Sequence, residues 1–181
     1  KNMREKRLWL AAAVLILAVA AIYGQTVNHG FLNYDDDTYI TANSIVRGGL
    51  SRQGLVEAFG IAAGNWHPLT WLSHMADVSL FDLRAGGHHA VGAALHAANA
   101  VLLLLVLHAL TGAFWRSALV AFLFAVHPQR VESVAWASER KDLLAGLFWL
   151  LTTGAYLRYA RRPGAGRYAA VLALYALGLT A

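Results

Sequence analysis

The chain has 181 residues, 58% of them hydrophobic and only 14% charged, with a mean hydropathy of +0.47. That balance excludes an ordinary soluble domain of this length. Cysteine is absent, which excludes disulfides and thiolate metal sites. The net charge of +5 does not point to nucleic acid, because the basic residues sit in short connectors between apolar runs and are not interleaved with solvent-facing aromatics.

The apolar residues gather in runs whose lengths approach a bilayer crossing, so lipid is the expected partner that hides them. The first run covers 8–23, behind Lys1, Arg4, Lys6 and Arg7. It resembles a signal peptide, but Trp9 and Tyr23 stand at its ends as interfacial aromatics do and no small-residue cleavage pattern follows, so an uncleaved span is expected. Further spans are expected at 90–110, 113–126 and 143–159, with a fifth beginning near Tyr168. The third is short: fourteen residues at ~1.5 Å rise cover ~21 Å of a ~30 Å hydrocarbon core, which requires little tilt, local thinning or a re-entrant dip. The fold class expected is therefore all-α, a polytopic transmembrane helical bundle of about five spans. Residues 1–181 read as a single module truncated at both ends, since the chain opens on Lys1 and stops at Ala181 inside an apolar run.

Lys and Arg near span ends prefer the cytoplasmic side. The leader carries four basic residues against Glu5, the link after the second span carries Arg116, and the link after the fourth carries Arg158, Arg161, Arg162 and Arg167. Residues 24–89 hold six acidic and three basic residues, and 127–142 are balanced. The amino terminus is therefore expected in the cytoplasm, with 24–89 as a first outer loop and 127–142 as a second.

The first outer loop is too long for a plain connector and is expected to carry short juxtamembrane helices. One follows Ser51 through Gly64; another starts at Asn65-Trp66-His67-Pro68, where proline suits a first helical position. In the latter, Leu69, Leu72, Ala76, Leu80 and Leu83 recur at helical spacing and face lipid or the bundle, with Ser73, His74 and Asp77 off that stripe. Near the start of the loop, Asp35-Asp36-Asp37 lie between Phe31, Tyr34 and Tyr39. They read either as a solvated turn or as carboxylates raised in pKa by a low-dielectric boundary and fit to act as general bases.

His67, His74, Asp77, His88 and His89 have metal-ligand chemistry but match no strong spacing signature, so capping and interfacial hydrogen bonds are the simpler account. Ser73, His74 and Asp77 lack the geometry of a hydrolase triad. His96, Asn99 and His108 fall within the second span, where interhelical hydrogen bonding competes with a proton or solute pathway. In the second outer loop, Arg140 and Lys141 run against the positive-inside tendency, which implies that adjacent acids or an anionic phosphate hold them there.

Taken in order and spacing, FLNYDDDTYI, NWHPLTWLSHMAD, GGHHAVGAALHAANAVLL and HPQRVESVAWASERKDLL resemble the amino-terminal membrane region of the transmembrane and tetratricopeptide-repeat O-mannosyltransferase-like family, over nearly the whole chain. The resemblance implies a GT-C type glycosyltransferase with an extracytoplasmic active site in the first outer loop. The implied donor is a sugar such as mannose on a polyprenyl or dolichyl phosphate, and the implied acceptor is a protein. The family's acidic pair maps onto Asp35 and Asp36. Inverting transfer needs a carboxylate to take the acceptor's proton and a cation to stabilise the departing lipid phosphate. Asp35 or Asp36 supplies the first; Arg140 and Lys141 supply the second, oriented by Glu132 and Glu139. Trp66 and His67 are candidates for contacting sugar or acceptor. The sequence makes no cofactor certain and leaves a divalent cation open, with Asp35 and Asp37 as its ligands if one binds. The alternatives are a transporter piece using His96 and His108, and a non-catalytic membrane anchor for a protein-binding repeat domain.

Overall fold

The computed structural model describes residues 2–61 and 64–181, and every element among them is helical. Helix α1 (Asn2–Tyr23) runs into a 3-10 turn at Gly24–Asn28. A π-turn at Asp37–Thr41 and two short helices follow, α2 (Ser44–Arg47) and α3 (Arg52–Glu57). The chain continues through α4 (Pro68–Phe81), α5 (Ala85–Thr111), α6 (Phe114–Val126), α7 (Arg130–Ala135), a 3-10 turn at Ala137–Glu139, α8 (Arg140–Arg161) and α9 (Ala165–Gly178).

Local chemistry sets these boundaries. Asn43 Oδ1 accepts the backbone N–H groups of Ile45 and Val46 at 3.0 and 3.3 Å, and Ser51 Oγ accepts that of Gly54 at 3.0 Å, so both short helices begin on side-chain caps. Pro68 opens α4, where its missing N–H costs nothing. Gly112 ends α5 with a φ of 69°, its N–H bonding His108 O at 2.9 Å. The helix expected from Ser51 through Gly64 stops at Glu57, and residues 62–63 of that expectation lie outside the described residues. Its Gly54 is poor helix material, and it packs close to α4, where a Cβ would meet Met75 Cε at 2.7 Å and that side chain would have to shift.

Helices α1, α5, α6, α8 and α9 form an up-and-down bundle. Its loop end gathers Tyr23, the start of α5, the end of α6 and the start of α8; its turn end gathers the α5–α6 and α8–α9 connections. The α1 exit packs on the α5 entry so closely that a side chain at Gly86 would strike the Val27 carbonyl. At the turn end Arg161 donates to Ala109 O, and at the loop end Leu69 N–H donates to Thr180 O at 2.8 Å. Leu15, Val19 and Tyr23 of α1, Ala100 and Leu104 of α5, Ala121 and Ala125 of α6, Val134 and Leu143 make one core. Tyr39, Ile40, Val46, Ala58, Trp71, Met75 and Ala137 make a second beneath the loop segments.

Among the described residues two helical stretches, Glu5–Asn28 and Ala85–Thr111, are long and apolar enough to cross a membrane. That is fewer than the five spans expected. Helices α6 and α9, at 13 and 14 residues, are short of a bilayer's thickness, and α8 is diluted by Thr152, Thr153, Tyr156 and Arg158. The polar residues within α5 serve packing: His96 Nε2 lies 3.1 Å from Ala125 O of α6, and Asn99 Nδ2 donates to Leu143 O of α8 at 2.9 Å. His108 sits edge-on to the Phe114 ring.

On α4 the leucine stripe is the less buried side, with Leu72 and Leu83 partly buried against the second core. Leu80 is 73% exposed, while Trp71, His74, Met75 and Asp77 on the other side are buried. A helix that turns two polar side chains inward must have polar partners waiting for them, and α8 supplies one.

Candidate active site

The two loop segments meet at the loop end of the bundle, and Asp36 joins them. It is fully buried, and its carboxylate accepts two backbone N–H groups: Leu32 at 2.8 Å through Oδ2 and Ser138 at 2.9 Å through Oδ1. Charge-assisted bonds of this kind to a buried carboxylate are strong and directional. Tyr34 reinforces the junction by lying 5.7 Å from the Trp136 ring. Asp37 is turned to its own backbone, accepting from Thr38 N–H at 2.7 Å. Asp35, between Tyr34 and Asp36, is partly exposed and has no hydrogen-bond or ion-pair partner among the described residues. Of the three acids it is the one with neither oxygen engaged among the described residues.

Arg140 is 1% exposed. Its Nη1 donates to Ser73 Oγ at 2.9 Å, and its Nη2 donates to Asp77 Oδ2 and to the His88 carbonyl, each at 2.8 Å. This side chain therefore ties α8 to α4 and α5, and its visible commitments are internal. Burial pushes the Asp77 carboxyl above the usual carboxylate range, and Arg140 pulls the other way. Burial likewise lowers the Arg140 pKa while Asp77 raises it. His74, beside the pair, is driven well below its ordinary value by burial, with Arg140 and His88 adding to the effect.

Lys141 points elsewhere. Its Nζ bonds Glu139 Oε1 at 2.7 Å and sits 5.2 Å from the centre of the Tyr39 ring, on the π-turn that follows Asp36. Burial lowers its pKa, but Glu139 and the nearby Tyr39 and Asp142 outweigh burial and raise it. Its side chain is 26% exposed, so among the two cations singled out in the sequence it is the one within reach of a ligand.

Glu132 is exposed on α7 and lines a cleft of about 330 Å³ together with His29, Leu32, His89, Val131 and Trp136. Trp66 and His67 lie elsewhere: Trp66 Nε1 donates to Phe59 O at 3.0 Å, and His67 Nδ1 lies 2.8 Å from Ala181 O, beyond the end of α9. Asn65 links that corner back to the acidic segment by donating to Tyr39 Oη at 3.1 Å. The cleft's His29, His89 and Trp136 were not singled out together from the sequence. Of these, His89 is among the metal-ligand candidates of the sequence, and Trp136 is an aromatic in a charged connector.

A group of three potential metal ligands does form, from His74, Asp77 and His88, all buried and with ligand atoms within 4.8 Å of one another. His67 and His89 are not in it, and neither are Asp35 and Asp37.

These features define a helical membrane protein whose acidic segment and second loop segment meet at the loop end of the bundle. Similarity narrows the class. The chain is 33% identical over 149 residues, 77% of its length, to the Drosophila melanogaster protein O-mannosyl-transferase Tmtc2. It is 32% identical over 164 residues, 83% of its length, to the Mus musculus protein O-mannosyl-transferase TMTC1. The Mus musculus TMTC3 is 28% identical over 160 residues. The chain belongs to this family of protein O-mannosyl-transferases. It spans only 16% and 17% of the length of the first two relatives. No family model and no solved structure matches it.

Proposed function

We propose that the chain is the membrane part of a GT-C type glycosyltransferase that moves a sugar, mannose by the names of its relatives, from a polyprenyl or dolichyl phosphate to a protein outside the cytoplasm. Asp35 acts as the general base toward the acceptor hydroxyl, and Asp36 positions it. Lys141, steadied by Glu139, faces the phosphate that departs with the lipid. Five bundle helices, the shorter ones included, cross the bilayer with the basic turn end in the cytoplasm, as the positive-inside tendency favours.

The observation that carries this reading is the division of labour between adjacent acids. Asp36 spends both oxygens on backbone donors, one of them in the second loop segment, and Asp35 beside it is held in place with its carboxylate unspent. A base for hydroxyl deprotonation needs a fixed backbone and a free carboxylate. Trp136 and Glu132 in the adjoining cleft are suited to a sugar or acceptor, an aromatic face for apolar ring edges and a carboxylate for hydroxyls.

The test is transfer by the full-length protein in detergent, with defined polyprenyl-phosphate sugars as donors and an acceptor polypeptide. Mannose transfer to Ser or Thr supports the reading. Failure with every lipid-phosphate donor, alongside transfer from a nucleotide sugar, overturns it.

A further inference from the structure

His74 and Asp77 stand three residues apart on one face of α4, and His88 stands on the first turns of α5. Their side chains are buried, at 0%, 3% and 0% exposure. His88 Nε2 lies 3.2 Å from the Asp82 carbonyl, which can only accept, so that nitrogen carries the proton and Nδ1 holds the lone pair. The Nδ1 lone pair lies 3.5 Å from Asp77 Oδ2, another acceptor. Two acceptors facing one another in the interior are balanced by a shared proton or by a cation between them. His74 is stacked on His88, with ring centres 5.9 Å apart, and neither of its ring nitrogens has a hydrogen-bond partner among the described residues. At least one of those nitrogens is an acceptor with nothing to accept.

We infer that His74, Asp77 and His88 form a binding site for one divalent cation of the zinc class, which clamps α4 to the first turns of α5. Ligand atoms about 2.0–2.2 Å from a tetrahedral zinc are about 3.3–3.5 Å apart, which matches the 3.5 Å between His88 Nδ1 and Asp77 Oδ2. Closing a separation of up to 4.8 Å to that spacing brings the ligand atoms together by up to about 1.5 Å. Two imidazoles with one carboxylate suit zinc, iron(II) or cobalt(II) better than magnesium or calcium. The supporting contacts of a metal site are present as well. His88 donates its other nitrogen to a backbone carbonyl, and Arg140 hydrogen-bonds the Asp77 carboxylate. Because Arg140 already shares that carboxylate, the fourth coordination position favours an anion, which answers the extra positive charge. The Phe31 ring, at the start of the acidic segment, packs on His88 at 5.2 Å, so the clamp braces the segment that carries Asp35 and Asp36. This inference stands apart from the sugar-transfer reading and does not depend on it.

The experiment uses the full-length chain purified through a histidine-free tag without chelator. Wild type retains zinc stoichiometrically, and the His74→Gln/His88→Gln variant loses at least tenfold. His89→Gln, whose ring lies by Gly30 O outside the group, retains it. Chelator-stripped wild type, still folded by its melting transition, binds Co²⁺ with tetrahedral visible bands and melts higher with added Zn²⁺. Equal metal in wild type and double variant overturns the site, as does absence of Co²⁺ binding by stripped, folded wild type. The Co²⁺ titration decides the matter even if the double variant does not fold.

Discussion

The carboxylate of Asp36 accepts the backbone N–H of Ser138 at 2.9 Å across 102 positions of sequence. This bond fastens the acidic segment to the second loop segment, and with the Leu32 bond it uses both oxygens of a buried acid. Asp36→Ala strands two backbone donors. It is expected to destabilise the protein by about 3 kcal/mol, read as an earlier melting transition of the detergent-solubilised chain. A melting curve like that of wild type would show that the junction does not depend on this carboxylate.

Arg140 predicts a different signature from Lys141. Removing Arg140 leaves Asp77 buried and unpaired, so Arg140→Ala is expected to cost about 3–5 kcal/mol. Arg140→Lys recovers little, because an ammonium cannot span Ser73, Asp77 and the His88 carbonyl as a planar guanidinium does. Lys141→Ala, a partly exposed pair with Glu139, is expected to change stability by less than about 1 kcal/mol while weakening donor-lipid binding. Melting measurements paired with binding of a polyprenyl-phosphate sugar separate the two.

Acid should destabilise the protein through His74. Its folded pKa lies well below the ordinary 6.5, so between those values the unfolded chain binds a proton that the folded chain refuses. Stability from this residue is complete above about pH 6.5 and is lost as pH falls toward the folded pKa. Melting temperature of chelator-treated protein, followed from pH 7.5 to 5, should fall more steeply for wild type than for His74→Gln. Parallel slopes would remove His74 as the cause.

Trp136 lines the cleft beside Tyr34 and Glu132. Trp136→Ala is expected to raise the KM for sugar or acceptor about tenfold, an order appropriate to losing one aromatic contact, with a smaller change in kcat. An unaffected KM would place the ligand elsewhere.

Much of this arrangement is legible in the sequence. Long apolar runs mark the bundle, Pro68 and Gly112 punctuate it, and four ordered motifs identify the family. The number of spans is where the two readings part: the apolar runs predict about five, whereas two described helical stretches are long and apolar enough to cross, because helices of thirteen and fourteen residues fall short of the hydrocarbon thickness. The roles of Asp36 and Arg140 were the hardest to read. Adjacent acids look alike in sequence, and which one is buried depends on a backbone N–H at Ser138. Arg140 and Lys141 look like one basic pair, yet the helical turn between them sends one into the α4–α5 interface and the other toward Tyr39. The polar face of α4 was visible as periodicity, but that it points inward follows only from an arginine 63 residues from Asp77.

The most direct measurement compares Asp35→Asn with wild type in the full-length protein, reading sugar transfer from a lipid-phosphate donor and the melting transition on the same preparation. The account predicts that transfer is lost while the melting transition stays within the change of about 0.5 kcal/mol expected of a surface substitution. Wild-type transfer by a folded Asp35→Asn protein would contradict it.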